Sequence, residues 1–152
     1  MQDGYPVYES IWQSLKNDLR KRSAGMSFGR IYGKGAFYGL EFAISEDTLE
    51  PRNDSETLIR AAEKYSERPI KTILDLGTGS GCLLLTLLKI FSGAQGTGID
   101  LSEGALKTAR LNARTHSVAS RARFICDNWL SSLSGHYDLI VSNPPYIESG
   151  TI

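Results

Sequence analysis

Residues 70–88 read IKTILDLGTGSGCLLLTLL, which is an apolar strand, a glycine-rich turn and an apolar helix in succession. Glycine accepts the backbone angles of a tight turn, and the helix after the turn presents unpaired N–H groups to a ligand. A strand that enters a helix through such a turn is typical of the first unit of a nucleotide-binding sheet. The stretch therefore predicts an α/β protein with a ligand site at Gly77 to Gly81.

Strands and helices alternate downstream of this turn. Further apolar strands are predicted over 96–101, 123–127 and 137–142, and Ser102 is placed to cap a helix that ends near Thr115. Alternation of this kind is typical of a parallel sheet with helices packed on it. We expect a Rossmann-like, doubly wound parallel sheet.

Upstream, the pattern predicts two helices joined by a hairpin. Apolar residues recur at helical spacing over 7–22, and the glycine-rich stretch 25–39 is predicted to be a connector that folds into a short hairpin over the core. Asp54 or Ser55 can cap a helix that ends near Ser66. The positions of that helix predicted to face inward are Leu58, Ile59, Ala62 and Tyr65.

Asp100 follows Gly77 by 23 residues and closes the second strand of this sheet. An acidic side chain there can accept hydrogen bonds from both hydroxyls of a ribose. The dinucleotide pattern G-x-G-x-x-G requires a third glycine at position 82, but Cys82 stands there and Gly81 comes one residue early. The spacing therefore favours S-adenosylmethionine over a nicotinamide dinucleotide.

The fourth strand opens directly onto Asn143-Pro144-Pro145-Tyr146. Two prolines stiffen the backbone and remove two donors, so the Asn143 side-chain oxygen and the Pro144 carbonyl form a rigid set of acceptors. Acceptors hold a planar –NH₂ group and turn its nitrogen towards a methyl donor, which makes catalysis mainly a matter of positioning. Tyr146 can stack on a flat amide or a base. The motif predicts methyl transfer to an amide or to an adenine amino group.

Composition restricts the remaining classes of function. The 152 residues carry 17 Lys and Arg against 17 Asp and Glu, so the formal net charge is zero and direct nucleic-acid binding is not expected. The longest apolar run is too short to cross a bilayer. Cys82 and Cys126 lack metal-ligand spacing and are predicted to be small core residues, so we expect no metal and a reducing, cytoplasmic location.

Three blocks of the sequence, between about 33 and 148, resemble the release-factor glutamine methyltransferases, the HemK/PrmC family. The glycine turn is common to class I methyltransferases, and the Asn-Pro-Pro-Tyr motif is shared with adenine-N6 methyltransferases. The block that favours glutamine lies upstream. The blocks are Tyr38-Gly39-Leu40-Glu41-Phe42 with Pro51-Arg52 and Ser55-Glu56; Asp75 to Gly81 with Asp100; and Val141-Ser142-Asn143-Pro144-Pro145-Tyr146-Ile147.

The resemblance implies a class I S-adenosylmethionine-dependent methyltransferase that methylates the side-chain amide nitrogen (N5) of a glutamine in a peptide-chain release factor. Asn143, Pro144 and Tyr146 are the implied catalytic residues, and with Pro145 they would hold the glutamine side chain. Trp129 would pack beside the adenine. The implied cofactor-binding set is Asp75, Gly77, Thr78, Gly79, Ser80, Gly81, Asp100, Leu101, Asp127, Asn128, Trp129 and Asn143.

The chain also departs from the family's pattern. Glu50 precedes Pro51, and Asn53 replaces a second proline. We expect residues 1–35 to be a remnant of the family's helical substrate-binding domain and 36–152 to be the methyltransferase domain. The sheet is expected to be incomplete, with only the first four of the family's seven strands. An open edge on the fourth strand predicts self-association.

The residues leave open two alternatives to glutamine methylation. The Asn-Pro-Pro-Tyr acceptors also suit N6 methylation of adenine in DNA or RNA. The chain can instead be a truncated, inactive methyltransferase fragment.

Overall fold

The computed structural model describes residues 8–128 and 135–144. Within them lie a hairpin and a larger sheet, connected by helices. Short 3₁₀ turns cover Asn53–Ser55 and Ala119–Arg121. The helices are α1 (Glu9–Ser23), α2 (Phe28–Tyr32), α3 (Glu56–Tyr65), α4 (Cys82–Ile90) and α5 (Glu103–Thr115); the strands are β1 (Lys34–Phe37), β2 (Leu40–Ala43), β3 (Thr72–Leu76), β4 (Gln95–Asp100), β5 (Ala122–Cys126) and β6 (Leu139–Ser142).

The larger sheet has the strand order β5-β4-β3-β6, and every pairing in it is parallel. From β3 the chain moves outward through β4 to β5 and then returns to place β6 on the other side of β3. This reversal of direction is the doubly wound arrangement, which opens a crevice at the carboxyl ends of the strands. The predicted fold class is confirmed.

Helix α4 lies at the centre of the core. Its residues Leu83 to Leu88 are all buried, and α3 and α5 pack on either side of it. The close approach of α4 to β4 depends on Gly96, where an added Cβ would lie 2.7 Å from Leu84 Cδ1. A larger residue at position 96 would collide with the buried side chains of Leu84 and Leu88, which would have to move.

The hairpin β1-β2 packs on this core. The sequence predicted a hairpin within residues 25–39, but the second strand of the observed one, Leu40–Ala43, lies beyond that stretch. Tyr38 and Gly39 form its two-residue turn with φ values of 49° and 75°, which is the backbone combination of the tight turns that match strand twist. Phe37 and Phe42 on the two strands are buried against each other and against the core.

Several expectations upstream of the sheet were wrong. Helix α2 lies within the stretch that was predicted to be only a connector and hairpin. Ser55 makes no capping hydrogen bond to α3. Tyr65 is 71% exposed instead of facing inward, because it lies at the end of α3 along a groove on the outer side of β6.

No residue of the first helix, α1, is buried, so the amphipathic pattern of this helix has no buried face among the described residues. None of the described helices combines the length and the hydropathy that a bilayer span requires.

Candidate functional site

The carboxyl ends of the four parallel strands meet at one edge of the sheet. Because the strand order is β5-β4-β3-β6, the segments that follow them are aligned in the order Asp127-Asn128, Asp100-Leu101, Gly77–Gly81 and Asn143-Pro144. These segments are far apart in the sequence, and the sheet brings them together. Trp129, Pro145 and Tyr146 lie outside the described residues.

The glycine turn has the conformation that its sequence predicts. Gly77, Gly79 and Gly81 have φ values of 73°, 55° and 79°, a region that side chains with a Cβ rarely occupy. The Gly77 and Thr78 N–H groups both donate to the Ile99 carbonyl at 2.9 Å, which anchors the turn to β4. A Cβ built at Gly79 would meet nothing within 4 Å, so the outer surface of the turn is open to a ligand.

Asp75, near the end of β3, stabilises the glycine turn that follows. Its carboxylate is buried and accepts a hydrogen bond of 2.7 Å from the Thr78 hydroxyl. Burial raises the pKa of Asp75 from its ordinary value of 3.8 to about 7, and the nearby charge of Asp100 adds to the increase. Hydrogen bonds from Thr78 and from the Leu84 backbone act in the opposite direction. Asp75 therefore changes its charge near neutral pH.

Asp100 is held by the backbone at the end of β4. Its Oδ2 accepts from the Gly79 N–H at 2.8 Å, and its Oδ1 accepts from the Ser102 N–H at 3.0 Å. Each carboxylate oxygen has a second lone pair for a further hydrogen bond, so the two oxygens can accept from two neighbouring hydroxyls. Leu101 beside it is 72% exposed and offers an apolar surface to a flat base. Together with the open surface at Gly79, these groups fit an adenosine-containing cofactor.

Asp127 and Asn128 extend this edge beyond β5. The Asp127 N–H donates to the Asp100 carbonyl at 3.1 Å, which joins the segments after β4 and β5. The predicted neighbours Asp100, Leu101, Asp127 and Asn128 therefore lie side by side.

Asn143 lies at the other end of the row, directly after β6. Its Nδ2 donates a hydrogen bond of 2.6 Å to the Ser55 hydroxyl, which is buried at the start of α3. The Ser142 hydroxyl before it donates to the Leu76 carbonyl at 2.9 Å and ties the segment to β3. Sequence reasoning assigned Ser55 only a capping role, and its one other signal was its place in the Ser55-Glu56 block of the family resemblance.

Asn112 is a second residue that the sequence did not single out. It is buried on α5, where Nδ2 donates to the carbonyls of Ala43 and Ser80 at 2.9 Å and Oδ1 accepts from the Ala43 N–H at 2.8 Å. One side chain thus links the hairpin to the glycine turn. Its only signal was a polar residue at an inward position of an amphipathic helix.

The cysteines differ from each other in environment. Burial raises the pKa of Cys82 to about 12, so its thiol stays neutral and is a poor nucleophile. Cys126 is exposed, contrary to the predicted core position, because it is the last residue of β5 and its Sγ reaches the Leu101 carbonyl at 3.5 Å. Among residues 8–128 and 135–144, no three His, Cys, Asp or Glu side chains are grouped to hold a metal ion.

The sequence profile of the Methyltransferase small domain family matches residues 51–151, which span the glycine turn, Asp100 and Asn143. The chain belongs to this family. Proteins named release factor glutamine methyltransferase are similar to it along most of its length. The one from Rhodospirillum rubrum is 44% identical over 140 residues, and the one from Bradyrhizobium diazoefficiens is 48% identical over 142 residues.

These alignments cover 92% and 91% of the chain but 43% and 48% of the two relatives. The chain therefore spans about half the length of the curated relatives that it matches. The similarity to these relatives confirms the resemblance to the release-factor glutamine methyltransferases that the sequence blocks indicated.

Solved structures of methyltransferases share the fold. The ribosomal protein L11 methylase from Lactobacillus delbrueckii has a TM-score of 0.56 at 25% identity, over 66% of this chain and 51% of that one. An S-adenosylmethionine-dependent methyltransferase from Thiobacillus denitrificans, solved with S-adenosylhomocysteine, has a TM-score of 0.51 at 27% identity, over 66% of this chain and 40% of that one. The chain therefore shares its α/β fold with these methyltransferases.

Proposed function

We propose that this chain is the cofactor-binding and catalytic part of an S-adenosylmethionine-dependent methyltransferase that methylates the side-chain amide nitrogen of a glutamine in a peptide-chain release factor. One observation carries the proposal: Asp100, the glycine turn and Asn143 lie side by side at the carboxyl edge of the sheet. The names of the relatives support the choice of a release factor.

The residues divide into two groups along this edge. Asp100 and the segments around Leu101 and Asp127 would hold the adenosine part, and Gly77 to Gly81 would hold the amino-acid part. When bound, S-adenosylmethionine supplies a methyl group on a positively charged sulfur. Asn143 comes after β6, on the far side of β3 from Asp100, so it would hold the substrate nitrogen on the side of the site away from the residues that would bind the adenosine.

The chain's own residues then act by positioning. The Asn143 oxygen and the Pro144 carbonyl accept the two amide hydrogens of the glutamine, and this fixes the direction in which its nitrogen faces. Proline at 144 keeps the carbonyl in place because its ring restricts the backbone. Pro145 and Tyr146 stay predicted members of this pocket, and Trp129 stays a predicted adenine neighbour.

A transfer assay tests the proposal and separates it from its alternatives. The chain is incubated with methyl-labelled S-adenosylmethionine and either an unmethylated release factor or an adenine-containing duplex. We expect label in the release factor, lost when its acceptor glutamine is replaced. Label in the duplex alone would establish adenine methylation instead, and label in neither would favour an inactive fragment.

Titration with S-adenosylhomocysteine tests the cofactor site independently of turnover. We expect saturable heat of binding, and an absence of heat at millimolar ligand would contradict the cofactor assignment.

Two further expectations stay predictions. They are the division of the chain between residues 35 and 36 and the cytoplasmic location.

A further inference from the structure

We propose that Ser55 is a positioning residue that orients the Asn143 side-chain amide, so that its oxygen faces the substrate nitrogen. The inference deepens the proposed function and rests on it for the identity of the substrate. The contact itself is a property of the chain, so it can be tested without turnover.

The two ends of an asparagine amide are alike in shape and opposite in hydrogen bonding. The oxygen accepts, and the nitrogen donates two hydrogens. A substrate –NH₂ group needs an acceptor, and rotating the Asn143 amide by half a turn would face it with donors. A working pocket therefore needs a group that selects one orientation.

Ser55 is placed to make this selection. The Asn143 Nδ2 donates to its hydroxyl at 2.6 Å, which engages the nitrogen and leaves the oxygen on the other side of the amide. A hydroxyl can accept or donate, but only the accepting arrangement leaves the Asn143 oxygen for a substrate. Ser55 makes no capping hydrogen bond to α3, so its side chain serves this contact instead.

The backbone around Ser55 holds the hydroxyl in place. The Ser55 N–H donates to the Arg52 carbonyl at 3.0 Å, which closes the short turn before α3. The next residue, Glu56, accepts from the Tyr38 N–H at 2.9 Å and joins this turn to the hairpin. Ser55 is itself only 8% exposed. Tyr38, Arg52 and Glu56 all belong to the upstream block of the family resemblance. Their contacts thus hold Ser55 where its hydroxyl can orient the Asn143 amide at the end of β6.

Kinetics of matched variants test the role. We expect Ser55→Ala to lower kcat by roughly 10- to 100-fold, the scale of a misplaced reacting group. KM for the release factor and Kd for S-adenosylhomocysteine should stay within about threefold, since the hydrogen bond that is lost lies within the chain and not between the chain and a ligand. Ser55→Thr keeps a hydroxyl and should restore most of kcat. Thr57→Ala removes a hydroxyl from an exposed position two residues later and should behave as wild type.

A kcat for Ser55→Ala within about twofold of wild type would overturn the proposal, because that is less than one lost hydrogen bond predicts. Equal losses in Ser55→Ala and Ser55→Thr would also overturn it, since the effect would then not depend on the hydroxyl.

Side-chain amide resonances provide a readout that needs neither substrate nor activity. In ¹⁵N-labelled protein, Asn143→Asp identifies the Asn143 amide pair by its disappearance. We expect one proton of that pair to be shifted downfield and protected from exchange in wild type, and to lose both properties in Ser55→Ala. Unchanged resonances would overturn the orientation by Ser55. If wild type transfers no methyl group, this spectrum still decides the contact, so the two proposals fail separately.

Discussion

Asn143 donates from its Nδ2 to the Ser55 hydroxyl, and in the proposed mechanism its Oδ1 accepts a hydrogen bond from the substrate nitrogen. Asn143→Ala removes that acceptor and leaves only the Pro144 carbonyl. We expect the rate of methyl transfer to fall by at least about 100-fold, because one of the two hydrogen-bond acceptors that position the substrate nitrogen is lost. Binding of S-adenosylhomocysteine should stay within about tenfold, or 1.4 kcal/mol. Single-turnover transfer and calorimetric titration measure the two quantities, and undiminished transfer would contradict the mechanism.

Asp75 makes stability depend on pH through its buried carboxyl. The folded state keeps the proton up to a pKa of about 7, whereas the ordinary value is 3.8. Between these values the folded state binds more protons than the unfolded state, so the free energy of unfolding falls as pH rises and levels off above pH 7. We expect a loss of about 3 kcal/mol between pH 5 and pH 8 from this group.

Asp75→Asn keeps the shape and an acceptor for the Thr78 hydroxyl but cannot titrate. Urea unfolding at pH 5 and pH 8 should show that the variant lacks this loss and is more stable than wild type at pH 8. Parallel stability curves for the two proteins would contradict the assigned pKa.

At the scale of elements, one side chain on α5 holds the hairpin to the glycine turn. Asn112→Ala would leave the Ala43 N–H and two carbonyls without their partner. Each unpaired buried group costs about 1–3 kcal/mol, so we expect a destabilisation of about 3 kcal/mol or more, measured by urea unfolding. Lys107→Ala changes an exposed residue of the same helix and should alter stability by less than about 0.5 kcal/mol. Similar losses in both variants would contradict the role of Asn112.

Local pattern accounts for most of the elements but not for α2. Strands β3 to β6 and helices α4 and α5 follow from apolar runs, the glycine turn and the Ser102 cap, whose hydroxyl accepts from the Ala105 N–H at 3.1 Å. Helix α2 has five residues, too few for a periodic pattern. It is stabilised by Arg30, whose guanidinium donates to the carbonyls of Ser45 and Thr48 at 2.6 and 2.7 Å. Those partners are 15 and 18 residues away, so no local signal reveals them.

At the scale of the whole molecule, β6 is one of the two edge strands of the larger sheet within the described residues. Ile140 is 59% exposed there and, with Tyr65, lines a groove of about 650 Å³ between β6 and α3. Exposed apolar edge strands tend to pair with other chains. We therefore expect residues 1–152, studied by themselves, to self-associate increasingly as protein concentration rises, which sedimentation velocity can measure.

Ile140→Lys should weaken this association, because a charged side chain on an edge strand opposes pairing. Leu111→Lys makes the same kind of change at an exposed position on α5, away from the edge, and should leave the association unchanged. A wild-type protein that stays monomeric at all concentrations would contradict the prediction, as would equal effects of the two variants.

The amino-acid sequence by itself was enough to predict the fold class, the order of strands along the chain, the glycine turn and the candidate residues Asp100 and Asn143. Each of these depends on periodicity, glycine conformation or a short spacing, which neighbouring residues specify. The contact of Ser55 with Asn143, the bridge made by Asn112 and the raised pKa of Asp75 depended on the packed chain. They join or bury groups as far as 88 residues apart, and only the assembled sheet brings such groups within hydrogen-bonding distance and removes water from around them.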